Sequence, residues 1–328
     1  MADFGRPKRG RPPAVAKIPY VIQGVVNSPE NPRALVEFDI YDVQTWIKII
    51  KLLLTRSLNV KTIIFSCLAD KLLIRCVDHF DKVMYSISYN VQRMARYYCA
   101  PANAPIHFGV VPKTLKLTTN PYTHIKFAFI PSDMAAELHM AQHITTSADP
   151  KITIIPNVII TTEHTFGQFG IDIHATSSIE ETADLIMVAP LVLLKSLAAD
   201  ASAVGRSPYV TMTYSGGKII FARQDNLVSQ PFTPSDDIKI MTKNDIINQF
   251  NNLTVTTDNS QILPISTDEI IACSLYQDYL HHFTSFANTI SNIVNMVYIK
   301  SNPYITLRVS NNQCSVTSHI LTLTGDQI

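Results

Sequence analysis

The sequence predicts an α+β fold in two similar parts, each with two helices packed on antiparallel sheets, and three observations lead there. The chain has 328 residues, of which 46% are apolar and only 16% charged. That composition builds large cores and fits a folded, soluble protein rather than a disordered one, and at roughly 100–200 residues per domain it predicts about two domains. Short alternating segments bounded by turn residues recur along the chain, the pattern of antiparallel strands. The order strand, helix, sheet, helix, sheet then occurs twice, as a duplication of architecture without duplication of sequence.

Each element has a local reason. Residues 34–41 read as a strand, and Asp42 offers a helix N-cap. In 43–56, Val43, Trp46, Ile47, Ile50 and Leu54 fall on one side at 100° per residue, while Gln44, Lys48, Lys51 and Thr55 fall on the other. Segments 61–66, 71–77 and 82–89 form a meander with turns at Ala69-Asp70 and His79–Asp81. A second short helix over 111–117 has Pro112 early and spaces Lys113 and Lys116 on one face. Strands follow at 122–130, 137–144 and 151–155, then a less regular connector over 157–182.

The second part opens with a strand at 184–188 and an amphipathic helix at 190–201 carrying Lys195. A hairpin over 209–223 turns on Gly216-Gly217, where positive φ is required. A strand at 269–274 leads to a helix near 276–291 with the buried stripe Tyr279, Phe283, Phe286 and Ile290. Strands near 296–299, 304–309 and 315–323 close the chain. The expected organisation is an arm (1–32), a first domain (33–156), the connector (157–182) and a second domain (183–328).

Charge is unevenly placed. Residues 1–17 carry five basic groups against one acidic, 18–156 carry 14 against 10, and 157–328 carry 8 against 15. A basic Pro/Gly/Arg-rich arm without hydrophobic period is expected to be disordered and to meet an anionic polymer. Its Arg9-Gly10-Arg11-Pro12 resembles an AT-hook, in which guanidinium groups enter the narrow, strongly negative minor groove of A·T-rich DNA. A nuclear-import signal or a nonspecific polyanion anchor is the alternative. No window reaches the ~18 uninterrupted apolar residues of a membrane span and no apolar run follows the basic N-terminus, so no membrane segment or secretory signal is expected and the location is intracellular. Cys67, Cys76, Cys99, Cys273 and Cys314 have no C-x-x-C spacing and read as small buried side chains.

The stretch from Thr62 to Tyr89, with its Asp-x-x-x-x-Val turn, resembles the paired strands that follow the first helix in DNA sliding clamps of the PCNA type. Residues 112–120 are similar to the second inner helix of that family, 188–200 to the third, and 279–285 to the fourth. The ending 320–328 is placed where clamps end in a strand and short tail. The resemblance covers 33–328 and rests on the order and spacing of all these segments. With its basic arm, the chain most resembles the divergent PCNA-like proteins of large cytoplasmic DNA viruses, which implies a cytoplasmic viral replication site or the nucleus.

The resemblance implies a ring, expected as a homotrimer, that surrounds double-stranded DNA and serves as processivity factor and docking platform for DNA polymerase and repair proteins. Basic side chains lining the hole would meet phosphates without reading bases: Lys48 and Lys51, Lys113 and Lys116, and Lys195, supplemented by Arg6, Lys8, Arg9 and Arg11 of the arm. Partner motifs would dock at the connector, on Phe166, Phe169, Ile171 and Ile173, and near the terminal Ile328; those aromatics could instead pin the connector to its sheet. Copies would join by edge strands, near 137–144 of one and 226–232 of the next. Two positions depart from the family: Ala198 stands where another basic residue is expected and Ser285 where a lysine is usual, with Asp278 on the same polar face.

An enzyme is disfavoured, since no phosphate loop, dinucleotide fingerprint, nucleophile elbow or H-E-x-x-H motif is present. In Glu137-x-His139-x-x-x-His143 the two imidazoles would share a helix face at metal spacing, but a strand is the better reading there; His281 and His282 diverge on a helix. No metal and no cofactor is expected. The remaining alternative is a clamp-fold viral transcription or repair factor that binds DNA without forming a closed ring.

Overall fold

The computed structural model describes residues 21–55, 58–115, 122–132, 136–144, 149–160, 169, 171, 183–203, 209–223, 228–243, 245 and 271–323. The first half runs β1 (Val36–Ile40), α1 (Val43–Leu53), β2 (Ile63–Cys67), β3 (Lys71–Val77), β4 (Val83–Asn90), β5 (Tyr97–Cys99), β6 (Ile106–Val110), a 3₁₀ turn (Pro112–Leu115), β7 (Tyr122–Ile130), β8 (Ala136–Ile144) and β9 (Lys151–Ile160). The second runs β10 (Leu185–Pro190), α2 (Leu191–Ala203), β11 (Tyr209–Ser215), β12 (Lys218–Arg223), β13 (Ser229–Phe232), β14 (Lys239–Thr242), β15 (Ile271–Tyr276), α3 (Gln277–Ala287), β16 (Ile293–Tyr298), β17 (Tyr304–Ser310) and β18 (Cys314–Leu323).

The two halves share one antiparallel pairing scheme. In the first, β5-β1-β7-β8-β9 forms one sheet and β4-β3-β2-β6-β9 the other. In the second, the same scheme gives β14-β10-β16-β17-β18 and β13-β12-β11-β15-β18. Strands β9 and β18 are therefore corner strands, each belonging to two sheets. The hairpin turn between β11 and β12 falls at Gly216 (φ 57°) and Gly217 (φ 75°), a conformation that suits the right-handed twist of two-residue hairpins and excludes most side chains.

Between the two sheets of the first half, alternate residues of β1, β2, β6 and β7 point inward. Phe38, Phe65, Phe108, Phe127 and Phe129 stack there, with ring centroids 4.5–6.1 Å apart. Helix α1 starts at Asp42, whose Oδ1 accepts from Thr45 N at 3.1 Å, and drops Trp46 onto Phe127 at 5.2 Å. Its buried arc is wider than the sequence stripe. Thr45, Ile49, Leu52 and Leu53 are buried too, while Ile47 is only half-buried. The reason is lateral cover: α1 packs on β7 below, the 3₁₀ turn beside it, and α3 of the other half. All five cysteines are buried and free, and burial pushes their thiols up.

The halves are fused by β18 pairing with β4, Cys314 to Ile320 lying opposite Tyr89 to Val83. Asp78, at the β3–β4 turn, locks this joint from the helix side. Its buried carboxylate accepts from Lys82 N at 2.6 Å, Val83 N at 2.8 Å and Tyr279 Oη on α3 at 2.8 Å. Burial first, and then the bond to Asp78, push the Tyr279 hydroxyl up, so it stays a donor. On the opposite face of the joint, His319 is buried, with Thr306 Oγ1 2.9 Å from its Nδ1.

The sequence misplaced one edge. Strand β8 is flanked by β7 and β9, so the free edge of that sheet among the described residues is β9, which continues to Ile160, past the expected start of the connector. Its register slips between the Ala136 and Leu138 pairs, and the extra residue is accommodated near Asn157 at φ 58°, a conformation asparagine tolerates. In the second half β14 and β13 are the free edges among the described residues. Arg223 N donates to Val228 O, which makes Ile220 and Pro231 a non-hydrogen-bonded pair and turns the Pro231 nitrogen toward the open side.

Two outcomes follow for stability. Tyr279→Phe removes a donor from a buried carboxylate and is expected to cost about 2 kcal/mol in urea unfolding. His319, pushed down to about 3 by burial and then by Arg308 and Arg75, is neutral when folded and takes a proton once unfolded. Its contribution is therefore present above about pH 6.5 and lost progressively toward pH 3; His319→Gln is expected to flatten the fall in urea midpoint over that range.

Candidate nucleic-acid interface

The helices form one row across both halves. The 3₁₀ turn touches α1, α1 touches α3, and α3 packs along α2. Each buries one face and leaves another outward. On α1 the exposed side carries Gln44, Lys48 and Lys51, and on the 3₁₀ turn Lys113 is exposed beside Thr114. Lys116 lies outside the described residues. The turn is tighter than the expected helix and closes on Thr114, whose Oγ1 and N both donate to Val111 O.

In the second half the exposed side of α2 presents Val192, Lys195, Ser196, Ala199 and Asp200, with Ser196 Oγ donating to Asp200 Oδ2 at 3.3 Å. Ala198, where a basic residue was expected, is wholly buried, so a lysine there would not face outward without rearrangement. Helix α3 exposes Asp278, His281 and Ser285; it ends at Ala287, earlier than expected, though Ile290 is still buried. Four of the five proposed helix lysines are thus described, all exposed, and three of the four belong to the first half. An exposed lysine row with no base-reading geometry can neutralise phosphates and slide.

The docking residues fall elsewhere. Phe169 is 4% exposed and packs on Tyr304 at 5.7 Å, over Ile64, Met84 and Leu321; Ile171 joins the same cluster. These two side chains pin the connector to the outer side of the β4–β18 joint. Phe166, Ile173, Ile328 and the arm residues Arg6, Lys8, Arg9 and Arg11 lie outside the described residues. On β8, His139 Nε2 lies 2.8 Å from Glu137 Oε2, and no group of three metal-ligating side chains comes together among the described residues. No helix of the described chain is long and apolar enough to cross a membrane.

Two features escaped the sequence. Strand β9 exposes Ile152 (62%) and Ile154 (52%); their alternation with Thr153 and Ile155 was the available signal. On the outer face of β1, Glu37 and Asp39 are both buried. Arg96 Nε approaches Glu30 at 3.7 Å and Glu37 at 3.8 Å, while Lys126 Nζ meets Glu30 at 2.6 Å. Two acids inside the strand Val36-Glu-Phe-Asp-Ile40 were visible, but their partners come from distant segments.

No family model and no curated protein sequence matches this chain. Among solved structures, the crystal structure of Proliferating Cellular Nuclear Antigen from Entamoeba histolytica is similar, with a TM-score of 0.58 over 89% of this chain and 100% of that one, at 10% sequence identity. At that identity the likeness is one of fold: the chain has a PCNA-like clamp fold.

Each lysine that neutralises a phosphate contributes about 0.9 to the slope of log affinity against log salt. The pair Lys48→Ala and Lys51→Ala is expected to reduce that slope by about 2, and Lys195→Ala by at most about 1, in duplex-binding titrations at several salt concentrations.

Proposed function

We propose that this protein is a DNA sliding clamp: copies join head to tail into a ring, expected as a homotrimer, that surrounds duplex DNA and serves as processivity factor and docking platform for polymerase and repair proteins. One observation carries the reading. Among the free edges of the described residues, which also include β14, strands β9 and β13 are the topological counterparts of β18 and β4, which pair within the chain. By ladder register, Ile152 and Ile154 hold the places of Thr317 and His319. At the closed joint those places are 7% and 3% exposed, against 62% and 52% on β9. Pairing β9 of one copy with β13 of the next repeats the internal joint and covers the isoleucines, and a head-to-tail contact of this kind closes when its rotation closes.

The exposed helix lysines supply smeared phosphate contacts, as topological retention needs, and the solved structure of similar fold is that of a Proliferating Cellular Nuclear Antigen. The arm (1–32), two clamp domains (33–156 and 183–328) and the connector between them are the organisation this reading uses. Within it the arm holds a second stretch of DNA, with A·T-rich minor groove as the preferred target, and partner motifs enter beside Phe169 and Ile171. A viral replication protein is the source the arm and body together favour.

The thin charge on α2 and α3 favours a second reading, a transcription or repair factor that keeps the fold without a closed ring. Sedimentation separates the two. The ring reading expects three copies per particle, shifted to monomers by Ile154→Asp, and longer retention on circular than on linearised plasmid once an opening factor is present. A monomer at micromolar concentration that fails to stimulate primer extension would overturn it.

A further inference from the structure

The outer face of the β5-β1-β7-β8-β9 sheet carries a charged cavity. It is built by a strap, residues 27–33, that crosses the sheet just before β1. Glu30 N and Asn31 N donate to the two carboxylate oxygens of Glu37 at 2.6 and 2.7 Å, and Arg96 Nη2 donates to Ser28 O at 2.6 Å. Between this strap and Ile152 of β9, the small side chains Ala128 and Ala141 leave a cavity of about 320 Å³. A second cavity of about 210 Å³ adjoins it on the side of Tyr41 and His124. Asp39 lines both.

Among the described residues Asp39 forms no salt bridge. Three carboxylates converge here, Glu30, Glu37 and Asp39, against two cations, Arg96 and Lys126. Lys126 goes to Glu30, and Arg96 lies between Glu30 and Glu37. The Asp39 residue is only 7% exposed, and its carboxylate receives no hydrogen bond from the described residues. A buried carboxylate without a donor is costly, and burial, opposed by Lys126 and reinforced by Glu30, pushes this one up to about 7. A cation placed beside it would stabilise the charged form.

The sequence supplies cations within reach. Val21, the first described residue, lines the same cavity as Asp39, and the first 17 residues of the sequence end at Lys17 and hold five basic groups against one acidic. Three residues separate Lys17 from Val21, and the four steps between them reach up to ~14 Å at 3.3–3.6 Å each. We infer that the basic arm docks on its own chain, with Lys17 or another arm cation set beside Asp39 in the cavity under the strap. A tethered cation sees a high effective concentration of this site, so the contact needs little intrinsic affinity. The site lies on the sheet face turned away from the core and the helix row. An arm docked there is withheld from any polyanion until the polyanion out-competes Asp39 for the same ammonium group.

The test uses the full chain and does not depend on ring closure. Zero-length carbodiimide coupling at low salt, followed by peptide mapping of the monomer band from a denaturing gel, is expected to join an arm lysine (Lys8 or Lys17) to Asp39 or Glu30. The yield is expected to fall several-fold between 50 mM and 0.5 M salt, as a screened contact requires, and several-fold in Asp39→Asn. A product found only in the dimer band would mean that a second copy supplies the arm and would overturn docking in cis. An arm that forms no such product, or a yield indifferent to both salt and Asp39→Asn, would overturn the site itself.

Discussion

Everything else in this fold depends on β18 lying against β4. Neither half closes its own second sheet: β4 and β13 are left at edges by the shared scheme, and only β4 is covered, by the last strand of the chain. The ladder from Cys314 to Ile320 turns two sheets into one that runs from β14 to β9. It also fixes the halves well enough for α1 and α3 to touch and for Tyr279 to reach Asp78. A lock of that kind sits on the helix side, while Phe169, Tyr304 and His319 close the other side. The joint is held on both faces because a bare ladder between two separately folded units would carry little apolar burial of its own.

Charge divides the halves differently from topology. The first half exposes Lys48, Lys51 and Lys113 on its helices, whereas the second exposes Lys195 with Asp200 and Asp278. On a DNA-holding row, the duplex would be tracked by alternating basic and near-neutral sectors instead of a uniform lining. The outer surfaces are reversed in polarity as well. Around β1 and β7 the outward side chains are Glu37, Asp39 and Lys126, while around β10 and β16 they are Ile186, Val188 and Val297, which form an apolar cluster with Ala183 and Ile299.

What was legible in the sequence was whatever a local period could express. The α1 stripe, the meander from Ile63 to Asn90 and the Gly216-Gly217 turn all came from spacing within a few residues. Lateral position did not. The alternation of Glu137–Ile144 describes a strand with one buried face equally well at an edge or between neighbours, so β8 was mistaken for the edge that belongs to β9. Strands β5, β6 and β14 carry too few alternating residues to stand out from the loops around them. At the candidate site, the lysines were readable because exposed helix faces are local, but the unmatched Asp39 depends on Arg96 and Lys126, 57 and 87 residues away in the chain.

Pro231 gives the two kinds of joint unequal strength. By ladder register Pro231 holds the place of Ser88, which faces β18, and there β13 presents a ring nitrogen with no hydrogen to give. A seam formed on β13 is short of one amide bond, while the internal seam is backed by the Asp78 lock. In the proposed ring, parting is therefore expected between molecules before it occurs within one. Entry of a closed strand of DNA would begin with unzipping at proline.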